Sequence, residues 1–266
     1  MDEPFGREWE PAQEPRAAVA LLHGLGEHCG RYERLAGRFT DAGFAVSAID
    51  LRGHGHSPGA RGDTRFAPAL EDLDALLERC GERWPGVTLF AYGHSLGSLL
   101  TVAYLVGGRP RPLAGAVVSA IGLHSALREQ KGKVRAARVL GRAVPKVRMK
   151  SGIDPATLSR DPEVIEAYKA DKLVHDIASV GFGLDALEAV DAILAGASSI
   201  AVPLLVIHGS EDALAYVSGA RALAAAAPDV CTLRVYDGLF HEVHNEPEQE
   251  RVFLDVCAWM EEQLGN

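Results

Sequence analysis

Gly93-His94-Ser95-Leu96-Gly97 sets a serine between two glycines, directly after the apolar, β-rich run Val87–Ala91 and at the head of an apolar helical stretch, Leu96–Val106. A serine on a tight strand-to-helix turn has chemistry that most serines lack. The glycines permit the turn and the close approach of strand to helix, and the free amides of a helix N-terminus favour negative charge developing beside them. Ser95 is therefore the candidate nucleophile for acyl transfer. Gly55-His56-Ser57-Pro58-Gly59 fits the same spelling, but no helix follows it and Pro58 has no N–H to offer an oxyanion, so Ser57 reads as a loop residue.

A serine nucleophile needs a base and an acid that orients the base, each at a strand's carboxyl end and in the order Ser, Asp or Glu, His. The strand-like run Leu204–Ile207 leads into His208-Gly209-Ser210-Glu211-Asp212, and Leu233–Tyr236 leads into Asp237-Gly238-Leu239-Phe240-His241. Order and spacing select Asp212 as acid and His241 as base. Glu211 and His244 are close neighbours that could fill the same roles, but they read better as solvated loop residues. His208 reads as a turn residue supporting the Asp212 loop. The oxyanion is expected to meet the Leu96 amide and the Leu25 amide, the latter in the small-residue loop His23-Gly24-Leu25-Gly26-Glu27-His28 after the strand Val19–Leu22.

Two rival chemistries share these segments. Gly24-Leu25-Gly26 after a strand, with Asp50 ending the next strand, suggests a dinucleotide-binding oxidoreductase, but the third glycine position is Cys29 and Gly30 is out of register. His54-Gly55-His56 could start a metal site, but no Asp-His pair follows to complete it, so the two histidines read as loop structure around Arg52 and Asp50.

The elements that must hold these residues are legible as alternation. Strand-like runs at Val19–Leu22, Phe44–Ile49, Val87–Ala91, Ala116–Val118, Leu204–Ile207 and Leu233–Tyr236 are separated by helical stretches at Arg31–Ala42, Ala67–Arg83, Leu96–Val106 and Val217–Ala226, with Glu248–Gln263 last. That predicts a mostly parallel sheet with helices on both faces. Alternation stops after Val118 and resumes at Val202, and the interval shows no convincing strand. Residues 122–199 are therefore expected to form an inserted helical cap over the carboxyl ends of the strands, where active sites of such sheets lie. Residues 1–121 and 200–266 form the core.

The 266 residues, 47% hydrophobic, suit one core with an appended subdomain. The acidic first residues, Met1 to Glu14, predict neither signal nor transit peptide, and no stretch reaches membrane-spanning length unbroken. Cys29, Cys80, Cys231 and Cys257 stand far apart without a CxxC pair, as expected of reduced thiols in a cytoplasmic protein. The net charge of −9 argues against nucleic acid as a partner.

Taken together, His23-Gly24-Leu25-Gly26-Glu27-His28-Cys29-Gly30-Arg31-Tyr32, Asp50-Leu51-Arg52-Gly53-His54-Gly55-His56-Ser57, Gly93-His94-Ser95-Leu96-Gly97, Leu158-Ser159-Arg160-Asp161-Pro162, Leu173-Val174-His175 and His208-Gly209-Ser210-Glu211-Asp212 resemble the monoacylglycerol lipase family. The resemblance runs from about Arg7 to the C-terminus. It implies an α/β-hydrolase fold, hydrolysis of a monoacylglycerol to glycerol and fatty acid under a helical lid, and no metal or organic cofactor. It supports Ser95, Asp212 and His241 as triad and Leu25 and Leu96 as oxyanion donors. It also implies that Glu27, Arg31 and His244 line the narrow region through which glycerol leaves; a local salt-bridge network is the plainer role for them. Lysophospholipase or general carboxylesterase activity on the same triad is the nearest alternative, and a non-catalytic ligand-binding protein of this fold is the more distant one. Ser98 departs from the family, which often has glycine there, and only Phe5–Trp9 remains for an early antiparallel strand.

One feature is independent of the triad. Residues 128–150 carry nine Lys or Arg and one acidic residue, Glu129, which leaves the remainder of the chain near −17. Val134, Ala137, Leu140, Val144 and Val147 recur at spacings of three and four with Arg135, Arg138, Arg142 and Lys146 between them. This predicts a basic amphipathic helix, interrupted by Pro145, that either packs on the core or offers transient contact to a membrane surface.

Overall fold

The computed structural model describes residues 3–108, 111–125, 129 and 131–265, and only the backbone of Lys133 and Ala136. Arg128, at the start of the basic segment, lies outside the described residues. The alternating runs form a seven-stranded sheet in the order β1-β3-β2-β4-β5-β8-β9: β1 Gly6–Trp9, β2 Ala17–Leu22, β3 Phe44–Ile49, β4 Thr88–His94, β5 Gly115–Ser119, β8 Leu204–Gly209 and β9 Cys231–Tyr236. All neighbours are parallel except β1, which runs antiparallel to β3 with Gly6 opposite Ile49. The short early strand is thus present, as a four-residue edge.

β2, β3, β5 and β8 are buried along their whole length. That is why they read as continuous apolar runs rather than alternating ones: helices cover both faces. One side packs α2 Phe66–Arg83 and α3 Leu96–Val106 through residues such as Leu73, Leu77 and Leu100. The other packs α1 Glu33–Asp41 and the last helix, Gln249–Leu264, through Leu35, Phe39, Phe253 and Trp259. Each such side chain contributes roughly 1.5–3 kcal/mol by leaving water.

Between β5 and β8 the chain leaves the sheet. It forms α4 Lys131–Ala143, α5 Pro162–Ala170 and α6 Val180–Gly196, then returns; α7 Val217–Ala226 and α8 Gln249–Leu264 complete the fold. The interval also contains two three-residue strands, β6 Arg148–Lys150 and β7 Ile177–Ser179, paired antiparallel with Met149 opposite Ala178. Three residues are too few for a period-two pattern to show in sequence. α4 stops at Ala143, just before Pro145, whose carbonyl accepts from the Gly181 amide. The stripe predicted for this helix divides: Val134 and Ala137 are half-buried, and a Cβ at Gly141 would meet Leu184 of α6 at 2.6 Å, whereas Leu140, Val144 and Val147 are 43–49% exposed.

The rest of this insertion is tied to the core by side chains. Arg65 makes a bidentate pair with Asp185, Ser179 donates to Asp63, His28 meets Asp171 at 2.8 Å, and Ser159 donates to the Asn245 carbonyl. Among the described residues, no helix is long and apolar enough to cross a membrane.

Candidate active site

Ser95 sits between β4 and α3 with φ 52° and ψ −107°, a left-handed conformation that costs a non-glycine residue on the order of 1 kcal/mol or more. The strain is held by neighbours. The Ser95 amide donates to the Ser119 carbonyl and the Gly97 amide to the His23 carbonyl, joining β4, β5 and the loop after β2 at one point. A Cβ at Gly93 would lie 2.4 Å from the Gly97 carbonyl oxygen, and one at Gly97 would lie 2.2 Å from that of Leu22. Neither position tolerates a side chain. Ser98, where the resembling family often has glycine, is buried, with its hydroxyl 2.7 Å from the carbonyl oxygens of both Gly93 and Ser119. Here serine braces the turn.

Asp212 and His241 leave adjacent parallel strands, β8 and β9, and both are buried. Asp212 Oδ2 accepts from His241 Nδ1 at 2.7 Å, and Oδ1 accepts from the Leu214 and Ala215 amides, each at 2.9 Å. Burial alone would raise the Asp212 carboxyl. The charge of His241 and hydrogen bonds from His208 and His241 outweigh it and hold the carboxyl well below the usual range. Burial likewise pushes the His241 imidazole down, and the Asp212 carboxylate reverses this and raises it. His241 and Ser95 line the same cavity. Glu211 is exposed, as expected, and points to Ser210; His244, expected in solvent, is instead buried and stacks on Tyr32 with ring centroids 5.0 Å apart, and neither has the Asp212–His241 arrangement.

Leu25 and Leu96 line the cavity beside Ser95. The Leu96 amide, in the first turn of α3, has no intrahelical acceptor. The Leu25 loop is set by His23 and Glu27. The Leu51 amide donates to His23 Nε2, so in the neutral ring Nδ1 carries the hydrogen and donates to the Gly24 carbonyl at 2.7 Å. Burial lowers the His23 pKa and keeps that neutral form. Glu27 Oε1 accepts from the Gly24 amide at 2.7 Å, and Gly26 adopts φ 81° with its carbonyl accepting from His175 of the insertion.

Glu27 also meets Arg31, and Arg31 forms a bidentate pair with Glu242, both contacts at 2.7 Å. Arg31 stacks over the Tyr168 ring at 4.7 Å. The loop carrying Leu25 is thereby joined to the residue after His241 through a single guanidinium. Burial would raise the Glu242 carboxyl, but Arg31 holds it well below its ordinary value. Glu242 and Tyr168 are absent from the sequence-derived set. The only signal for Glu242 was its place beside the candidate base, since its partner lies 211 residues away. His94 and His244 complete the cluster, and burial depresses both, His244 to about 4.

Two compartments meet at Ser95 and His241. The larger, about 380 Å³, is walled mainly by apolar and small residues including Leu99, Phe182, Leu187 and Val190. The smaller, about 20 Å³, holds little more than a water-sized group and is lined by Glu27, Arg31, Tyr168 and Glu242.

The rival motifs have structural roles. Asp50 accepts from the Cys29 and His56 amides, and a Cβ at Gly55 would lie 2.0 Å from its carboxylate. Ser57 accepts from the Phe5 amide and donates to the Asp50 carbonyl. His54 is buried beside His23 and His175, while His56 is exposed against Phe5, so the two rings diverge.

Residues 13–248 match the family model described as serine aminopeptidase, S33. The chain is 39% identical to the monoacylglycerol lipase of Mycolicibacterium smegmatis over 268 residues, covering 96% of this chain and 92% of that one. It is 32% identical over 98% of its length to an uncharacterized abhydrolase domain-containing protein of Dictyostelium discoideum, of which it spans 28%. The crystal structure of Paleococcus ferrophilus monoacylglycerol lipase superposes with a TM-score of 0.91 at 33% identity, covering 98% of this chain and all of that one.

Proposed function

The chain belongs to the serine aminopeptidase S33 and monoacylglycerol lipase family of α/β-hydrolases, and on that premise we propose that it hydrolyses monoacylglycerols to glycerol and free fatty acid through an acyl-enzyme on Ser95. The observation that carries this reading is the meeting of a large apolar and a small polar compartment at Ser95 and the hydrogen-bonded Asp212–His241 pair. The acyl chain occupies the apolar side, and a hydroxyl of the glycerol moiety enters the polar side. His241 takes the Ser95 hydroxyl proton as the oxygen attacks the ester carbon, and the Leu25 and Leu96 amides receive the oxyanion. Collapse breaks the ester bond, and His241 returns the proton to the departing glycerol oxygen; a water, deprotonated by the same imidazole, then attacks the acyl carbon, the bond to Ser95 Oγ breaks, and His241 passes the proton to that oxygen as the fatty acid leaves. Asp212 keeps His241 in the tautomer that presents Nε2.

Residues 122–199 act as the lid in this reading, over a hydrolase core of residues 1–121 and 200–266. The basic part of the lid contacts membranes and delivers lipid. Of the nine large apolar residues exposed among the described ones, Val139, Leu140, Val144, Val147 and Met149 lie in this one stretch, interleaved with Arg142, Lys146 and Arg148. Such a surface suits an anionic bilayer, each near-surface cation adding about 1 kcal/mol. Co-sedimentation with anionic vesicles, lost in high salt and in the Arg135→Glu, Arg138→Glu, Arg142→Glu variant, is expected; binding indifferent to salt and charge contradicts it. A cytoplasmic location belongs to the same reading and is supported by four free cysteines.

The substrate assignment is tested by kcat/KM over monoacylglycerols, diacylglycerols, lysophosphatidylcholine and a nitrophenyl ester. Monoacylglycerols are expected to lead the series. A leading lysophospholipid would move the assignment to phospholipid chemistry.

A further inference from the structure

A second imidazole reaches the acid. His208, fully buried near the end of β8, places Nε2 2.7 Å from the Ala215 carbonyl oxygen and 3.3 Å from Asp212 Oδ2. A carbonyl only accepts, so this Nε2 carries the hydrogen. The opposite nitrogen, Nδ1, is buried and has no hydrogen-bond partner among the described residues. A buried polar atom left unsatisfied costs roughly 1–3 kcal/mol. An apolar side chain of similar volume would fill this place without that cost, so the value of the imidazole lies on its Nε2 side.

That side closes a ring of contacts. The Ala215 amide donates to Asp212 Oδ1, the Ala215 carbonyl accepts from His208, and His208 faces Asp212 Oδ2. Two amides fix Oδ1, whereas among the described residues Oδ2 meets two imidazoles, His208 from behind and His241 in front. The same turn meets the first residues of the insertion: Ala215 bridges Ser125, and the Tyr216 amide donates to the His124 carbonyl at 2.8 Å.

We propose that His208 is a positioning residue for the acid–base pair: its Nε2–H locks the Asp212 turn and the plane of the carboxylate, so that Oδ2 points at His241 Nδ1. The inference rests on the triad reading above. Without His208, Oδ2 keeps one donor, the carboxylate is free to rotate, and His241 loses a fixed orientation toward Ser95. The effect falls on the chemical step rather than on binding.

The test compares His208→Leu, which fills the volume without an N–H, with His208→Gln, whose side-chain amide restores one. The substrate is a water-soluble ester, and thermal midpoints are recorded alongside. His208→Leu is expected to lower kcat about 10- to 100-fold with KM little changed, the range typical of partners that orient a ligating or catalytic group. His208→Gln is expected to recover most of that loss. Asp212 with one donor fewer holds the His241 proton more tightly, so the acid limb of kcat/KM moves to higher pH in His208→Leu. On an Asp212→Asn background, His208→Leu should add no further loss of kcat, because its route is through the carboxylate. Unchanged kcat in folded His208→Leu, failure of glutamine to rescue, or full additivity with Asp212→Asn would each overturn the proposal. Undiminished turnover in Asp212→Asn itself would instead overturn the triad reading beneath it.

Discussion

The turn that carries Ser95 and the helix α4 lie at opposite extremes of constraint. Around Ser95, two glycines have no room for a methyl group, a serine is held in the left-handed region, and Asp212 takes hydrogen bonds on both oxygens. α4 meets α6 at Gly141, with Val134 and Ala137 half-buried, and pairs Arg138 with Asp191 and Arg142 with Glu188, but leaves Val139 66% and Leu140 47% exposed. A buried polar group must be satisfied or it destabilises the fold, so the chemistry is built where alternatives are fewest. An exposed helix carries no such obligation, and its surface can be shaped for an external partner. Substitutions at the two regions should therefore differ in kind: large losses of turnover at the first, and changes confined to lipid surfaces at the second.

Asp212→Asn should show the constrained region at its fullest. An amide favours the wrong imidazole tautomer, so kcat is expected to fall on the order of 10⁴-fold, while Glu211→Gln, one residue away and exposed, changes it less than about twofold. Steady-state kinetics on a soluble ester decides, and a larger loss in Glu211→Gln would transfer the acid role.

Arg31→Met comes next, as a stability effect. It leaves the Glu27 and Glu242 carboxylates buried without their shared cation, which should cost about 3–5 kcal/mol in denaturant unfolding. A loss below about 1 kcal/mol would place the cluster among surface-like pairs.

The acid side of the pH profile sharpens the contrast further. His23, His54, His94 and His244 are depressed by burial, so each binds fewer protons folded than unfolded once pH falls below about 6.5. Their contribution is present above the unfolded value and is lost as pH drops toward the folded one, about 4 for His244. His241 is raised and opposes this, but is outnumbered. The thermal midpoint should fall steadily from pH 7 to pH 5, and a flat profile would contradict the neutral, buried cluster.

Ser57→Ala removes two hydrogen bonds at the base of β1 and should cost about 1 kcal/mol with turnover unchanged. The smallest effect belongs to α4. Reversing Arg135, Arg138 and Arg142 to Glu should leave soluble-ester turnover the same within error, and stability within about 0.5 kcal/mol per site, since exposed ion pairs contribute little. A large loss of soluble turnover would erase the distinction between the two regions.

The same contrast explains what was readable from sequence. Buried parallel strands announce themselves as apolar runs, and Ser95, Asp212 and His241 each follow such a run within a few residues, so local pattern and known chain order single them out as candidates. Glu242 and Tyr168 join the site through Arg31, over separations that no local pattern spans. β6 and β7 are too short for a period to register. Periodicity showed which residues of α4 share a stripe, but not what covers it, and Leu140, Val144 and Val147 stand in solvent. His208 was legible as a support of the Asp212 loop, but not as a strand residue whose ring reaches both Ala215 and Asp212, because those contacts appear only once the turn after β8 is closed.

The most direct measurement is glycerol release from a monoacylglycerol by the purified protein and by Ser95→Ala at matched concentration. The wild-type chain should release glycerol and fatty acid in equal amounts, and Ser95→Ala should fall by about 10⁵- to 10⁶-fold, to the background set by the oxyanion donors alone. Release that persists in a folded Ser95→Ala protein, or none from the wild type, would contradict Ser95 as the nucleophile of a monoacylglycerol hydrolase.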